Sequence, residues 1–237
     1  MPGRAAAYDA WYQTPLGKAA HEIERATVAE LARPAQGERA LDAGCGTGIY
    51  SAWLVSQGLQ VEALDRDPEM LAAAQEKAPA ARCIEGDATA LPFADGEFDL
   101  ALAVTLFCFL DAAQRAAAAR ELVRVVRPGG RVVVGELARY SLWAAERRIK
   151  GWRGSTTWRQ AHFTTACELR RLLRNAGATV VTARYGLYLP PWDEPWLVRR
   201  ADAIERLGRP LGALGAAFVV ARTEAGSEES SGRGAVD

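Results

Sequence analysis

The sequence predicts an α/β protein with a doubly wound, mostly parallel sheet and an antiparallel strand at its C-terminal end. Short apolar runs alternate with segments of helical periodicity over the first 137 residues. The run over 98–104 is almost continuously apolar, which is typical of a strand covered by helices on both faces. Two later strand-like runs, 178–185 and 216–221, fit a terminal strand pair.

The individual elements follow from local composition. A leading helix over 15–31 has apolar residues near helical spacing and ends before Pro34. The first strand, 40–43, stops at a glycine cluster, and the next helix ends at Gly58. The elements that follow this first strand are a helix at 49–55, a strand at 61–64, a helix at 68–77, strands at 81–84 and 98–104, a helix at 112–126 and a strand at 131–137.

Composition restricts the class of protein. The chain has 237 residues, which suits one core, and we predict a single domain over 1–223 followed by a small, polar, disordered tail over 224–237. Lysine and arginine together number 29, as do aspartate and glutamate, so no net positive field favours nucleic acid. No leader or membrane-spanning run is apparent, which favours a cytoplasmic protein. The four cysteines lack the spacing of a metal site or a disulfide framework.

The strongest chemical signal is LDAGCGTG at 41–48, between the first strand and its helix. Glycines let the backbone approach a ligand closely, and the helix N-terminus offers N–H groups to a carboxylate. The alternative is a tight strand–helix turn that binds nothing. The dinucleotide fingerprint G-x-G-x-x-G would require glycine at Ile49, whereas the spacing here is G-x-G-x-G.

Acidic residues follow the next two strands. Asp65, seventeen residues after Gly48, is placed to accept hydrogen bonds from both hydroxyls of a ribose, which fits NAD and S-adenosylmethionine (SAM) equally. Asp87 lies beside the apolar Ala88, a combination suited to the exocyclic amine and the face of an adenine. Taken singly, each acid is more often a solvated turn residue.

Together these segments resemble the class I SAM-dependent methyltransferases, particularly the small-molecule group that includes quinone-biosynthesis enzymes. The matching segments are LDAGCGTG, VEALDRDPEML, CIEGDATALPFADGEFDLALAV and ELVRVVRPGGRVVVGEL, within a core at 38–137. The resemblance implies a Rossmann-like sheet, SAM as cofactor, no metal, and methyl transfer that leaves S-adenosylhomocysteine. More weakly, YDAWY at 8–12 resembles the group's N-terminal cover over the cofactor, and 162–177 resembles its last helix.

The resemblance also implies which residues contact SAM. The glycine loop would hold the methionine part with support from Asp42, the second strand's acid would hold the ribose, and the third strand's tip would fix the adenine edge. The implied cofactor-binding residues are Tyr8, Tyr12, Asp42, Gly44, Cys45, Gly46, Gly48, Asp65, Arg66, Met70, Asp87, Ala88, Ala103 and Val104.

The sequence departs from the group after the fourth strand. Many members carry a His-His pair there, whereas this chain reads Phe107-Cys108-Phe109, so we expect an apolar acceptor pocket that lacks one candidate general base. The remaining candidate bases are His162 and Glu136. A packing histidine and an ordinary strand-end carboxylate are the respective alternatives.

An insert at about 138–164 follows the core. Its portion at 139–159 holds six basic residues, one acid and three tryptophans, where class I enzymes commonly carry a substrate cover. Such a segment suits an acidic or aromatic acceptor, or weak contact with an anionic membrane surface. The alternative is a solvated basic helix whose tryptophans pack on the core.

These observations favour methyl transfer from SAM to a small-molecule acceptor. A catalytically inactive SAM-binding sensor or partner subunit is an alternative from a different class. RNA or protein methylation is a third interpretation, which the balanced charge and the lack of an appended binding domain disfavour.

Overall fold

The computed structural model describes residues 3–224, including every side chain in that range except that of Val180. Its strands are β1 (Arg39–Ala43), β2 (Gln60–Asp65), β3 (Arg82–Glu85), β4 (Phe98–Val104), β5 (Val126–Leu137), β6 (Val180–Gly186) and β7 (Phe218–Glu224). They form one sheet in the order β3-β2-β1-β4-β5-β7-β6. Only β7 runs antiparallel to its neighbours, so the predicted doubly wound sheet with an antiparallel C-terminal strand is confirmed.

Helices cover both faces of the sheet. They are α1 (Arg4–Gln13), α2 (Pro15–Ala32), α3 (Ile49–Ser56), α4 (Pro68–Lys77), α5 (Ala112–Arg124), α6 (Leu142–Trp152), α7 (Thr156–Gln160), α8 (Ala166–Asn175), α9 (Pro195–Val198) and α10 (Ala201–Gly208). The apolar sides of α2, α3 and α4 pack on one face, and those of α5 and α8 pack on the other. Alternate residues of the central strands therefore contribute to two separate cores.

Helix boundaries follow capping chemistry. Thr14 accepts a hydrogen bond from the amide of Gly17 before α2, which has proline at its first position. Complete capping boxes begin α5, with Asp111, and α8, with Thr165. The helix expected within 162–177 therefore starts at residue 166. The residues before it include Thr164, which forms a β-bridge with Ala138 directly after β5.

The structure differs from the predicted elements in several places, and helices α1, α6 and α7 were not predicted. Helix α5 ends at Arg124, and β5 already begins at Val126, with a register irregularity opposite the start of β4. Helices α9 and α10 occupy a Pro- and Trp-rich connection that showed no helical signal. Strand β7 includes Glu224, the first residue of the predicted tail, and 225–237 lie outside the described residues.

Arg131 lies in the part of β5 that pairs with β4, and its side chain connects the sheet to the C-terminal end of α2. Its guanidinium donates to the carbonyls of Ala32 and Arg33 and to both carboxylate oxygens of Glu38, at 2.8 and 2.7 Å. Arg131 is only 8% exposed. These hydrogen bonds lower the pKa of Glu38 and connect residues almost a hundred positions apart in the chain.

Within residues 3–224, no helix is long and apolar enough to cross a membrane. The same residues contain no cluster of histidine, cysteine and acidic side chains suited to a metal ion.

Candidate active site

The parallel register places the predicted ligand-binding segments side by side. Ala43 pairs with Leu64 at the ends of β1 and β2, and Asp65 pairs with Glu85 at the ends of β2 and β3. Strand β4 lies on the other side of β1, with Leu102 opposite Asp42. The glycine loop and the acids at 65 and 87 therefore share the carboxyl edge of the sheet, where ligands bind in open α/β folds.

Three glycines shape the loop after β1. Gly44, Gly46 and Gly48 all have positive φ values, of 71°, 54° and 78°. A Cβ at Gly44 would lie 2.8 Å from a Leu106 methyl carbon, and one at Gly48 would lie 2.8 Å from the Cα of Ala74. At Gly46 a Cβ would meet nothing within 4 Å. The loop is thus tightly packed at both ends and open in the middle, as a ligand cradle requires.

This difference gives a matched pair of variants. Both Gly46→Ala and Gly48→Ala force a side chain into the left-handed region, at a cost of about 1 kcal/mol each. Gly48→Ala also pushes against the backbone of α4, so we expect its total loss of stability to reach about 2 kcal/mol or more. Chemical denaturation measures both, and equal losses would contradict the geometry.

Asp42 supports the loop from below. Its Oδ2 accepts a hydrogen bond of 2.6 Å from the Ser51 hydroxyl on α3. Burial raises the pKa of Asp42 to about 6, although the Ser51 bond acts in the opposite direction. The bond connects β1 to α3 on either side of the glycine loop, and the supporting role that the resemblance implies for Asp42 stays a prediction.

Asp65 lies at the tip of β2 and holds two backbone groups. Its Oδ2 accepts from the amide of Gly46 at 2.8 Å, and its Oδ1 accepts from the amide of Asp67 at 3.0 Å. Each carboxylate oxygen retains a further lone pair for a hydroxyl donor. The acid thus couples the open middle of the glycine loop to the neighbouring strand tip.

The tip of β3, next to that of β2, is followed by Asp87, which is predicted to contact adenine. Asp87 is exposed, and its Oδ1 accepts from both the amide and the hydroxyl of Thr89, at 2.8 Å each. These bonds lower the pKa of Asp87, and the charge of Arg66 lowers it further. Ala88 is buried beside it, and Met70 lies half-buried in the first turn of α4.

The end of β4 turns sharply beneath the site. Ala103 and Val104 are buried, and Thr105 adopts a φ of 52°, which is unusual for a β-branched residue. A 3₁₀ turn follows at Phe107–Phe109. The carboxylate of Glu136 accepts from the amides of Phe107 and Cys108 at 2.7 and 3.1 Å, so both of its oxygens already hold this turn in place.

The two candidate bases lie together, on the side of the sheet that α5 and α8 cover. Glu136 and His162 line one cleft of about 270 Å³, to which no residue of the glycine loop or of the β2 and β3 tips contributes. Burial raises the pKa of Glu136 to about 7 and lowers the pKa of His162. The structure therefore brings these two candidates together in one cleft, while Glu136 also holds the turn that follows Ala103 and Val104.

Helix α1 is attached directly to the glycine loop. Asp9 accepts from the Thr47 hydroxyl at 2.7 Å and from the Lys77 ammonium group at 2.8 Å. Tyr8 and Tyr12, on the same helix, share a hydrogen bond of 2.8 Å between their hydroxyls. The sequence predicted the two tyrosines but missed Asp9 and Lys77, which a motif search does not connect across 68 positions.

Two further charged side chains were missed. Glu24 is 6% exposed and lies on the buried side of α2, between Ala20 and Val28 at helical spacing. An acid at an apolar position of the helical pattern was the signal that would have found it. Arg147 is 9% exposed on α6, with its guanidinium over the rings of Trp143 and Trp158.

The rest of the basic insert agrees with neither simple interpretation. Arg148 stacks on Phe163, and Lys150 forms a salt bridge of 2.8 Å with Glu146, as on a solvated basic helix. Trp152, however, is 84% exposed rather than packed on the core. The insert thus combines a solvated face with a buried cationic one.

Comparisons with known proteins agree with this geometry. The family model for a methyltransferase domain matches residues 41–134. An uncharacterised protein of Mycobacterium tuberculosis is 34% identical over 187 residues, which cover 79% of this chain and 62% of that protein. A demethylmenaquinone methyltransferase of Beutenbergia cavernae is 45% identical over 116 residues, which cover 48% of this chain and 46% of that protein.

A solved structure resembles almost the whole chain. It is a SAM-dependent methyltransferase of Thermotoga maritima described as a possible histamine N-methyltransferase. Its TM-score is 0.71 at 23% identity, covering 92% of this chain and 94% of that one. This likeness concerns the fold. The chain spans less than two thirds of the length of the curated relatives named above.

Proposed function

Because this chain contains a class I SAM-dependent methyltransferase domain, we propose that it transfers the methyl group of SAM to a small-molecule acceptor and releases S-adenosylhomocysteine. The observation that carries the proposal is the open glycine loop at Gly46, bordered by the carboxylate of Asp65. RNA and protein acceptors are disfavoured by the equal numbers of basic and acidic residues.

The residues at the sheet edge fit SAM by their chemistry. The first turn of α3 presents backbone N–H groups toward the loop, which suits a carboxylate. Asp65 supplies acceptors for ribose hydroxyls, and the pair Asp87–Ala88 supplies an acceptor and an apolar surface for adenine. SAM contributes an electrophilic methyl group on a sulfonium.

The protein's own part is alignment and exclusion of water. Asp9 holds helix α1 against the glycine loop. Glu136 holds the tight turn after β4, which forms the floor of the proposed site. We assign Glu136 a positioning role, since both of its oxygens accept backbone hydrogen bonds. On this proposal the acceptor lies between α1 and the insert that contains α6.

Asp65→Ala tests the cofactor site. We expect its Kd for SAM to rise at least about tenfold, because the ribose loses its acceptor and Gly46 loses its anchor. Isothermal titration calorimetry measures the Kd, and a thermal melt checks that the fold is kept. His162→Ala, in the separate cleft, should bind SAM as the wild-type protein does. Unchanged SAM affinity in Asp65→Ala would overturn the proposed site.

Transfer activity needs its own measurement. The protein is incubated with SAM and a small-molecule cell extract, and S-adenosylhomocysteine is quantified. We expect it to accumulate with time and with extract concentration. Tight SAM binding without any accumulation would instead identify a sensor or a partner subunit.

A further inference from the structure

Glu24 and Arg147 are two opposite charges that are buried without a polar partner. In the described part of the chain, neither side chain forms a hydrogen bond or a salt bridge, although the two residues are only 6% and 9% exposed. Their charges do influence each other, since that of Arg147 lowers the pKa of Glu24 against the effect of burial. Burying a charge without hydrogen bonds lowers the stability of the folded protein, so a pair of this kind indicates a ligand that pairs with both charges.

The guanidinium of Arg147 is fixed in place while its donors stay available. It lies 5.0 Å from the ring centre of Trp143 and 4.8 Å from that of Trp158. Trp143 is itself held by a hydrogen bond of 2.7 Å from its Nε1 to the carbonyl of Leu189. A planar guanidinium held by stacking presents a fork of N–H donors that matches a carboxylate.

Glu24 faces a different set of groups. The rings of Tyr12 and Tyr50 lie 5.4 and 5.6 Å from the ring of His21, one turn before Glu24 on α2. Burial raises the pKa of both tyrosines, and the negative charge of Glu24 raises it further. The Tyr50 hydroxyl is buried and has no partner among residues 3–224. A carboxylate beside tyrosine rings suits an ammonium group.

This cluster adjoins the proposed cofactor loop. Tyr50 belongs to the first turn of α3, directly after Gly48, and Tyr8 is next to Asp9, which contacts Thr47. Cys108, in the turn after β4, packs in one buried cluster with Ala144 and Trp158, and Arg147 lies over the Trp158 ring. The two charges are therefore buried next to the residues proposed to hold SAM.

We propose that the acceptor is a small amino acid-like zwitterion, whose carboxylate binds Arg147 and whose amine binds Glu24. This assignment rests on the proposed function and adds the acceptor's chemical class to it. A molecule with both charges satisfies two buried groups that do not reach each other, whereas a neutral acceptor would leave both unpaired.

The first experiment uses the full chain, SAM and a small-molecule cell extract. One portion of the extract is treated with acetic anhydride to block amines, and another with carbodiimide and methylamine to convert carboxylates to amides. We expect each treatment to lower S-adenosylhomocysteine formation at least tenfold. Activity that survives either treatment would overturn the zwitterion. Absence of activity with untreated extract would instead be a failure of the proposed function itself.

Variants then test the two residues. We expect Glu24→Gln and Arg147→Gln each to raise the apparent KM at least tenfold, measured as the extract concentration that gives half-maximal formation of S-adenosylhomocysteine, with the maximal rate changed less and with the SAM Kd kept. Glu22→Gln on α2 and Arg148→Gln on α6 are matched controls at exposed positions and should keep the wild-type KM. Arg147→Lys replaces Arg147→Gln if the latter fails to fold, since it keeps the charge and loses the fork. Wild-type KM values in both the Glu24 and the Arg147 variant would show that the two residues have a structural role and do not bind the acceptor.

Discussion

We expect Arg131→Met to lower the free energy of unfolding by about 3 kcal/mol, because it removes a buried arginine from a set of charge-assisted hydrogen bonds. The carbonyls of Ala32 and Arg33 would lose their donors, and Glu38 would lose its bidentate partner. Methionine fills a similar volume, so the loss reflects polar contacts more than a cavity. Urea denaturation at neutral pH measures the change.

Arg127→Met is the matched control in the same strand. The Arg127 side chain is 52% exposed and forms one ion pair, with Asp99. Exposed pairs typically contribute less than about 1 kcal/mol. If the two variants lost equal stability, the connection between α2 and β5 through Arg131 would not be the stabilising feature that the contacts indicate.

For Glu24→Gln we expect the opposite sign, a gain of about 3 kcal/mol in the ligand-free protein at pH 8. Burial raises the pKa of Glu24 from 4.5 to about 7, so the folded state binds a proton more tightly than the unfolded state does. Its contribution to stability therefore falls as pH rises from about 4.5 to 7 and stays low above that. The groups facing it are Arg147, Tyr8, Tyr12 and Tyr50.

The measurement is urea denaturation of wild type and variant at several pH values from 4.5 to 8. The gain should shrink to a few tenths of a kcal/mol near pH 4.5, where Glu24 is protonated in the folded state and about half protonated in the unfolded state. Glu136→Gln is an informative control, because burial also raises the pKa of Glu136 to about 7. That carboxylate accepts two backbone N–H groups, so an amide there should destabilise the protein. A pH-independent effect of Glu24→Gln would refute the buried charge.

The sequence was sufficient for the sheet and for the glycine loop, since local patterns determine both. The apolar run at 98–104 became β4 with the same bounds, because a short apolar run that follows a glycine turn fits a strand covered on both faces and is too short for a buried helix. The loop at 44–48 needs positive φ values that only glycine adopts freely, so its residues directly indicate its shape. The predicted SAM contacts at this edge stay predictions.

Other features depend on contacts that no local pattern encodes. Glu24 and Arg147 are on helices separated by most of the sheet-forming core, so their proximity exists only after folding. Helix α9 has only four residues and begins at a proline, so it is too short to show a periodic pattern, and the adjoining α10 has only eight residues. The apolar acceptor pocket expected from Phe107-Cys108-Phe109 stays a prediction; Phe107 and Cys108 are buried, and Phe109 is 46% exposed.

The attachment of α1 has a consequence for the order of events in catalysis. The same helix carries Asp9, which contacts the glycine loop, and the two tyrosines that surround Glu24. Under the proposed function, one displacement of α1 would uncover both binding compartments at once. Release of S-adenosylhomocysteine and release of the methylated product would then share one kinetic barrier. Partly exposed ion pairs such as Lys77–Asp9 would set the height of this barrier, so the release rate would depend on ionic strength.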